Sequence, residues 1–194
     1  MTQAARKLTF EEYLALDDLP GRRCEFVEGE LVELPPESEL NDFIARYLLF
    51  AIASSGVVPL RLIAIHTCEV EVPTLRPGDP RTRYPDVVIL REEHLSLTQR
   101  RLTIKIDMPP PQLVAEVVSP GDSNRERDYK RKREQYQERG IPEYWLIDPE
   151  QQAVVVLELR AGKYAEVGTF RRNYQIVSPQ FSSLLLTAEQ IFAQ

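Results

Sequence analysis

Gln112-Leu113-Val114-Ala115-Glu116-Val117-Val118-Ser119-Pro120-Gly121-Asp122 and Gly140-Ile141-Pro142-Glu143-Tyr144-Trp145-Leu146-Ile147-Asp148-Pro149, with the charged stretch Asn124 to Arg139 between them, decide the fold. Residues 112–118 and 143–148 are apolar runs of strand length, bounded by turn residues. The stretch between them is expected to be a helix, with Ser123 as N-cap and Glu126 as its capping-box partner. Gly140 in the C′ position and Pro142 beyond it stop that helix. A strand, a long helix and a second strand suit a right-handed crossover between parallel strands.

Working outward, Thr9 and Glu12 form a capping box for a short helix whose Phe10, Tyr13 and Leu14 share one face. Cys24 to Leu34 alternates with period two around Glu28-Gly29, which predicts a β-hairpin. Residues 38–55 carry Phe43, Ile44, Tyr47, Leu48, Ala51 and Ile52 at helical spacing. One or two strands are expected over 57–72, a loop over 73–83, and a buried strand over 84–90 entered through Tyr84-Pro85. Residues 91–111 give no clear pattern and end in three prolines. A hairpin around Ala161-Gly162, a strand near 174–177 and a short helix over 187–192 follow. This order predicts an α/β (α+β mixed) layout, a central mixed β-sheet flanked by helices, in one domain over 1–194.

Composition removes several functions. The chain of 194 residues carries 24 Lys+Arg against 30 Asp+Glu, a net charge of −6. An acidic total argues against a protein that coats nucleic acid, though not against one that grips it through a metal site. The longest apolar run, Tyr47 to Ala53, is far short of the roughly 20 residues that span a bilayer, so no membrane partner is expected. Cys24 and Cys68 have no zinc spacing and suit a reducing, cytoplasmic compartment, and no secretory signal is visible. No two glycines form a G-x-G pair, which removes the dinucleotide fingerprint and the P-loop. With His66 and His94 as the only histidines, a multi-histidine zinc site and a Ser-His-Asp triad are poorly supported.

Two acids interrupt apolar strands: Asp86 opens Val87-Val88-Ile89-Leu90, and Glu116 sits inside 113–118. An ionised carboxylate in a buried strand is costly unless paired or coordinating a cation. Each alone can be a strand-end residue reaching water; together on neighbouring strands they mark a candidate site. The helix after Glu116 has only Tyr129 and Tyr136 as large apolar residues, but seven basic and four acidic ones. Asp128, Lys132 and Tyr136 recur every four residues and share a face. Either that face packs beside Glu116 and delivers an ammonium to the acids, or the helix is solvated and laced with salt bridges.

These residues carry a resemblance. Tyr84-Pro85-Asp86, Val114 to Pro120, Asp128, Lys132, Tyr136, Gly140 and the strand Ile141 to Pro149 resemble the Uma-two-type, restriction endonuclease-like family of the PD-(D/E)XK nuclease superfamily. The hairpin Cys24-Glu25-Phe26-Val27-Glu28-Gly29-Glu30-Leu31-Val32 is similar to that family's. The resemblance implies a restriction endonuclease-like fold and a Mg²⁺- or Mn²⁺-dependent endonuclease acting on DNA. It departs in two places. The superfamily's lysine, two residues after the glutamate, is here Val118, which implies that the lysine has moved to the following helix. Lys132 is the substitute; Lys130 is the fallback and points roughly 160° away at about 100° per residue. The family's histidine after the proline-rich segment is here Asn41.

The implied roles are Asp86, Glu116 and Lys132 as catalytic residues, with Glu25, Asp128 and Tyr136 in support. Asp86, Glu116 and the Val117 carbonyl would hold Mg²⁺ or Mn²⁺. Arg125, Lys130 and Arg131 are the expected contacts to nucleic acid. A homodimer suits double-strand cleavage. The competing reading is a nuclease-fold protein that binds nucleic acid or a protein without cutting. A carboxylate-pair glycosidase fits less well, because a lysine sits in the set.

Overall fold

The computed structural model describes residues 6–16 and 23–192, so the expected span of 1–194 runs beyond it at both ends. The chain winds around a six-stranded mixed sheet in the order β11-β10-β9-β8-β6-β3. Its strands are β3 (Ile63–Ile65), β6 (Val87–Ile89), β8 (Leu113–Val117), β9 (Glu143–Asp148), β10 (Ala153–Arg160) and β11 (Lys163–Arg171). Within this sheet β8 and β9 pair in parallel, and the other described pairs are antiparallel. Every residue of β8 and β9 is buried, as apolar runs covered on both faces require. A three-stranded sheet holds β4 (Glu69–Glu71) between β5 (Thr82–Arg83) and β7 (Thr103–Ile104), and β1 (Cys24–Val27) pairs with β2 (Glu30–Glu33).

Helix α1 (Phe10–Ala15) starts at Thr9 with the expected capping box. Phe10 and Tyr13 pack against Phe26 of the hairpin. Helix α2 (Glu39–Ser54) is capped by Ser38 and buries Asn41, Ile44, Ala45, Leu48 and Ile52, while Phe43, Tyr47 and Ala51 stay half-buried. Helix α3 (His94–Leu97) and strand β7 occupy the unreadable 91–111 region. The parallel pair β8 and β9 is connected through α4 (Asp122–Glu126), a π-helical turn (Arg127–Lys132) and α5 (Arg133–Arg139). Helix α6 (Ala188–Phe192) lies near the end of the chain. Cys24 and Cys68 are buried and not joined in a disulfide.

Several expectations are corrected. The crossover helix starts at Asp122, not Asn124; Gly121 occupies the cap position, and no side chain caps it. It is not a solvated helix, because Asp128, Lys132, Gln135, Tyr136 and Arg139 are buried. Its end is as expected, with Gly140 at φ 77 in the left-handed region that glycine tolerates. The expected loop 73–83 contains β5, and the expected strand 174–177 is only a bridge between Gln175 and Thr187.

At the sheet centre Trp145 donates from Nε1 to Glu143 Oε1 at 2.5 Å, and Gln180 N donates to Glu143 Oε2 at 2.8 Å. Trp145 is thus core, and it satisfies a fully buried carboxylate. Trp145→Phe removes that donor and leaves a void. We expect a loss of about 2 kcal/mol in urea unfolding and a Tm lower by about 4–8 °C. An unchanged midpoint would contradict this role.

Candidate active site

The register of β6 against β8 pairs Val87 with Ala115, so Asp86, one step outside the ladder, comes level with Glu116. Asp86 Oδ2 accepts the Val117 N–H at 2.6 Å, which ties it to β8 as the ladder ends. Glu116 lies inside an otherwise apolar strand and is 1% exposed. Lys132 Nζ donates to Glu116 Oε2 at 2.7 Å and lies 3.0 Å from Asp128 Oδ1. Tyr136 Oη donates to Glu116 Oε1 at 2.5 Å. The face Asp128–Lys132–Tyr136 therefore does pack on Glu116.

The π-helical turn explains how three residues at four-residue spacing line up. In an α-helix, four residues overshoot one full turn by about 40°. In the wider π turn they fall short by about 30°. Asp128 to Lys132 lies in the π turn and Lys132 to Tyr136 in α geometry, so the two errors cancel. Lys132 and Tyr136 then reach Glu116, and Asp128 stands beside them, 3.0 Å from Lys132. Lys130 is exposed, as its opposite phase requires.

Burial pushes Glu116 up to about 7, with Asp86 and Asp128 adding to the rise and Lys132 opposing it. Burial alone would lower the Lys132 ammonium. Glu116, Asp128 and Asp86 outweigh it and hold it above the ordinary lysine range. Burial, and then Glu116, keep the Tyr136 phenol protonated well past its usual range, so it serves as a donor.

A cavity of about 240 Å³ opens in front of this cluster, and Asp86, Glu116, Lys132, Glu25, Glu37 and Arg127 are among its lining residues. Glu25 reaches it from the hairpin but is paired with Arg83 at 3.1 Å, and Arg83 also donates to Gln135 Oε1. Asp128 accepts from Arg127 Nε at 3.1 Å as well as from Lys132. The Val117 carbonyl receives Asn41 Nδ2 at 3.4 Å, and Asn41 also donates to Ser119 Oγ at 3.1 Å. Among the expected nucleic-acid contacts, Arg125 is held by Asp148 at 2.6 Å, whereas Lys130 and Arg131 are exposed.

The donor set fits a divalent cation. A carboxylate offers about four lone-pair directions, so Glu116 has capacity beyond the Lys132 and Tyr136 bonds. Sequence reasoning missed one further group here. Ligand atoms of Glu37, His66 and Asp86 lie within 4.8 Å of one another. Burial lowers the His66 imidazole, but Asp86 and Glu37 outweigh it and raise it above its ordinary value, the mark of negative potential. No spacing in the chain links these three residues.

A crystal structure described as a putative nuclease belonging to DUF820, from Anabaena variabilis ATCC 29413, matches with a TM-score of 0.68. The alignment covers 96% of this chain and 98% of that chain at 20% identity, a likeness of fold. No curated protein matches. Residues 10–189 match the family model Uma2, described as "Putative restriction endonuclease", and the chain belongs to that family.

Proposed function

We propose that this protein is a metal-dependent endonuclease that hydrolyses phosphodiester bonds of DNA in the pocket lined by Asp86, Glu116 and Lys132. The observation that carries the reading is the buried Glu116 level with Asp86, with a charged lysine 2.7 Å from it. The family description and the nuclease-like fold support the same class.

Asp86 and Glu116, with the Val117 carbonyl, would hold Mg²⁺ or Mn²⁺. Such a cation supplies charge neutralisation at the scissile phosphate and lowers the pKa of a bound water. The protein's own residues do the rest. Tyr136 fixes the Glu116 rotamer through Oε1. Lys132 opposes the burial that raises Glu116, and it places a positive charge at the cavity edge, where it stabilises negative charge developing on phosphate oxygens. Asp128, itself paired with Arg127, holds Lys132 in place, so the lysine carried by the helix takes over the role of the strand lysine that Val118 replaces. The competing reading, binding without hydrolysis, draws on Lys132 being engaged by two carboxylates at once.

Purified protein is expected to nick supercoiled plasmid DNA with Mg²⁺ or Mn²⁺ and to stop when EDTA is added. Asp86→Asn and Glu116→Gln each remove a ligand charge with little change of shape, and cleavage should fall at least about 100-fold in both. Binding with no cleavage by the native chain would favour the competing reading, and undiminished cleavage by both variants would remove these residues from the mechanism.

Backbone contact makes a separate expectation. Lys130→Ala combined with Arg131→Ala should lower the slope of log binding constant against log salt by about 2. Arg125→Ala should leave the slope unchanged, because Arg125 is already neutralised by Asp148. Equal slope losses from Arg125 and from the pair would contradict this assignment.

A further inference from the structure

His66 is a histidine whose ring has no conventional use. Each ring nitrogen exposes less than 1 Å², and neither finds a hydrogen-bond partner among the described residues. Its backbone sits at φ 54, in the left-handed region that costs a side-chain-bearing residue energy. Nδ1 stands 3.4 Å from Asp86 Oδ1, close but not aligned for a hydrogen bond. Two ligands about 2.1 Å from a tetrahedral ion stand about 3.4 Å apart. Nε2, on the far side of the ring, faces Asp42 Oδ1 at 3.7 Å. A metal-bound imidazole usually has its other nitrogen turned to a carboxylate in this way.

The third group is Glu37, whose ligand atom lies within 4.8 Å of those of His66 and Asp86. Glu37 Oε1 pairs with Arg23 at 2.7 Å, which leaves its second oxygen for a cation. Glu37 and Asp86 both line the cavity in front of Glu116.

We propose that Glu37, His66 Nδ1 and Asp86 form a second cation position, sharing Asp86 with the Asp86–Glu116 position and oriented from behind by Asp42. One nitrogen and two oxygens suit the borderline Zn²⁺, or Mn²⁺, which is hard but dehydrates more readily, better than Mg²⁺, which prefers oxygen ligands and keeps its waters. Phosphodiester hydrolysis with two ions a few ångströms apart stabilises both the attacking and the leaving oxygen. The assignment builds on the nuclease reading but is tested apart from it.

The test is Mn²⁺ binding to the full chain, followed by calorimetry and by pulsed electron paramagnetic resonance, which detects a nitrogen bound to the ion. Native protein should bind two Mn²⁺ and show imidazole nitrogen modulation. His66→Asn keeps a residue that tolerates the left-handed backbone. It should abolish the modulation and weaken one of the two sites roughly tenfold or more, with Mg²⁺ affinity unchanged. His66→Ala serves as a second variant, with circular dichroism showing that both fold. Glu116→Gln should weaken the other site and keep the modulation. Native protein with no nitrogen modulation overturns the inference, whether or not it cleaves DNA. Modulation without any Mg²⁺- or Mn²⁺-supported cleavage overturns the nuclease reading and leaves the ion position standing.

Discussion

One buried charge organises this molecule. Glu116 is the fourth residue of a five-residue strand with every residue buried. Left alone there, a carboxylate would cost several kcal/mol. Its two oxygens are satisfied from one helix, by Lys132 and Tyr136. That demand fixes the helix's rotation about its axis and its height over the sheet. It also explains why a segment with so few large apolar residues packs at all. The inward face is held by hydrogen bonds: Tyr144 Oη donates to the Asp128 carbonyl, and Gln135 Nε2 donates to the Pro73 and Pro80 carbonyls.

The same ties redistribute the chain's charge. The total is −6, yet the crossover helix is rich in arginine and lysine. Much of that positive charge is answered inside the protein: Arg125 by Asp148, Arg127 by Asp128, and Lys132 by Glu116 and Asp128. What remains on the surface of this segment includes Lys130 and Arg131. A patch that small gives weak attraction to nucleic acid by itself, so a bound cation would carry much of the grip on a phosphate.

Where signals were local, the sequence was legible. The capping box at Thr9 and Glu12, the Glu28-Gly29 turn, Gly140 as helix terminator and the apolar runs of β8 and β9 are each written within a few residues. Two acids in apolar strands and one four-residue spacing left two readings of Asp86, Glu116 and Lys132 open, and the family resemblance favoured the packed one, which the structure shows. Two-residue strands such as β5 and β7 have no periodicity to read, because tertiary pairing alone makes them strands. The π turn was invisible to a 3.6-residue template, although it brings Asp128 more closely in line with Lys132 and Tyr136. Glu37 and His66 were passed over because a loop after β2 and the end of β3 bring them to Asp86, and no sequence interval records that meeting.

The central claim is that Asp86 and Glu116 share a divalent cation beside the Lys132 ammonium. A crystal soaked in Mn²⁺ and measured at the manganese absorption edge tests it most directly. The account predicts an anomalous peak bonded to both carboxylates, with Lys132 Nζ still within hydrogen-bond reach of Glu116. Crystals with no peak on Glu116, its oxygens still held only by Lys132 and Tyr136, would contradict it and reduce the buried acid to a structural ion pair.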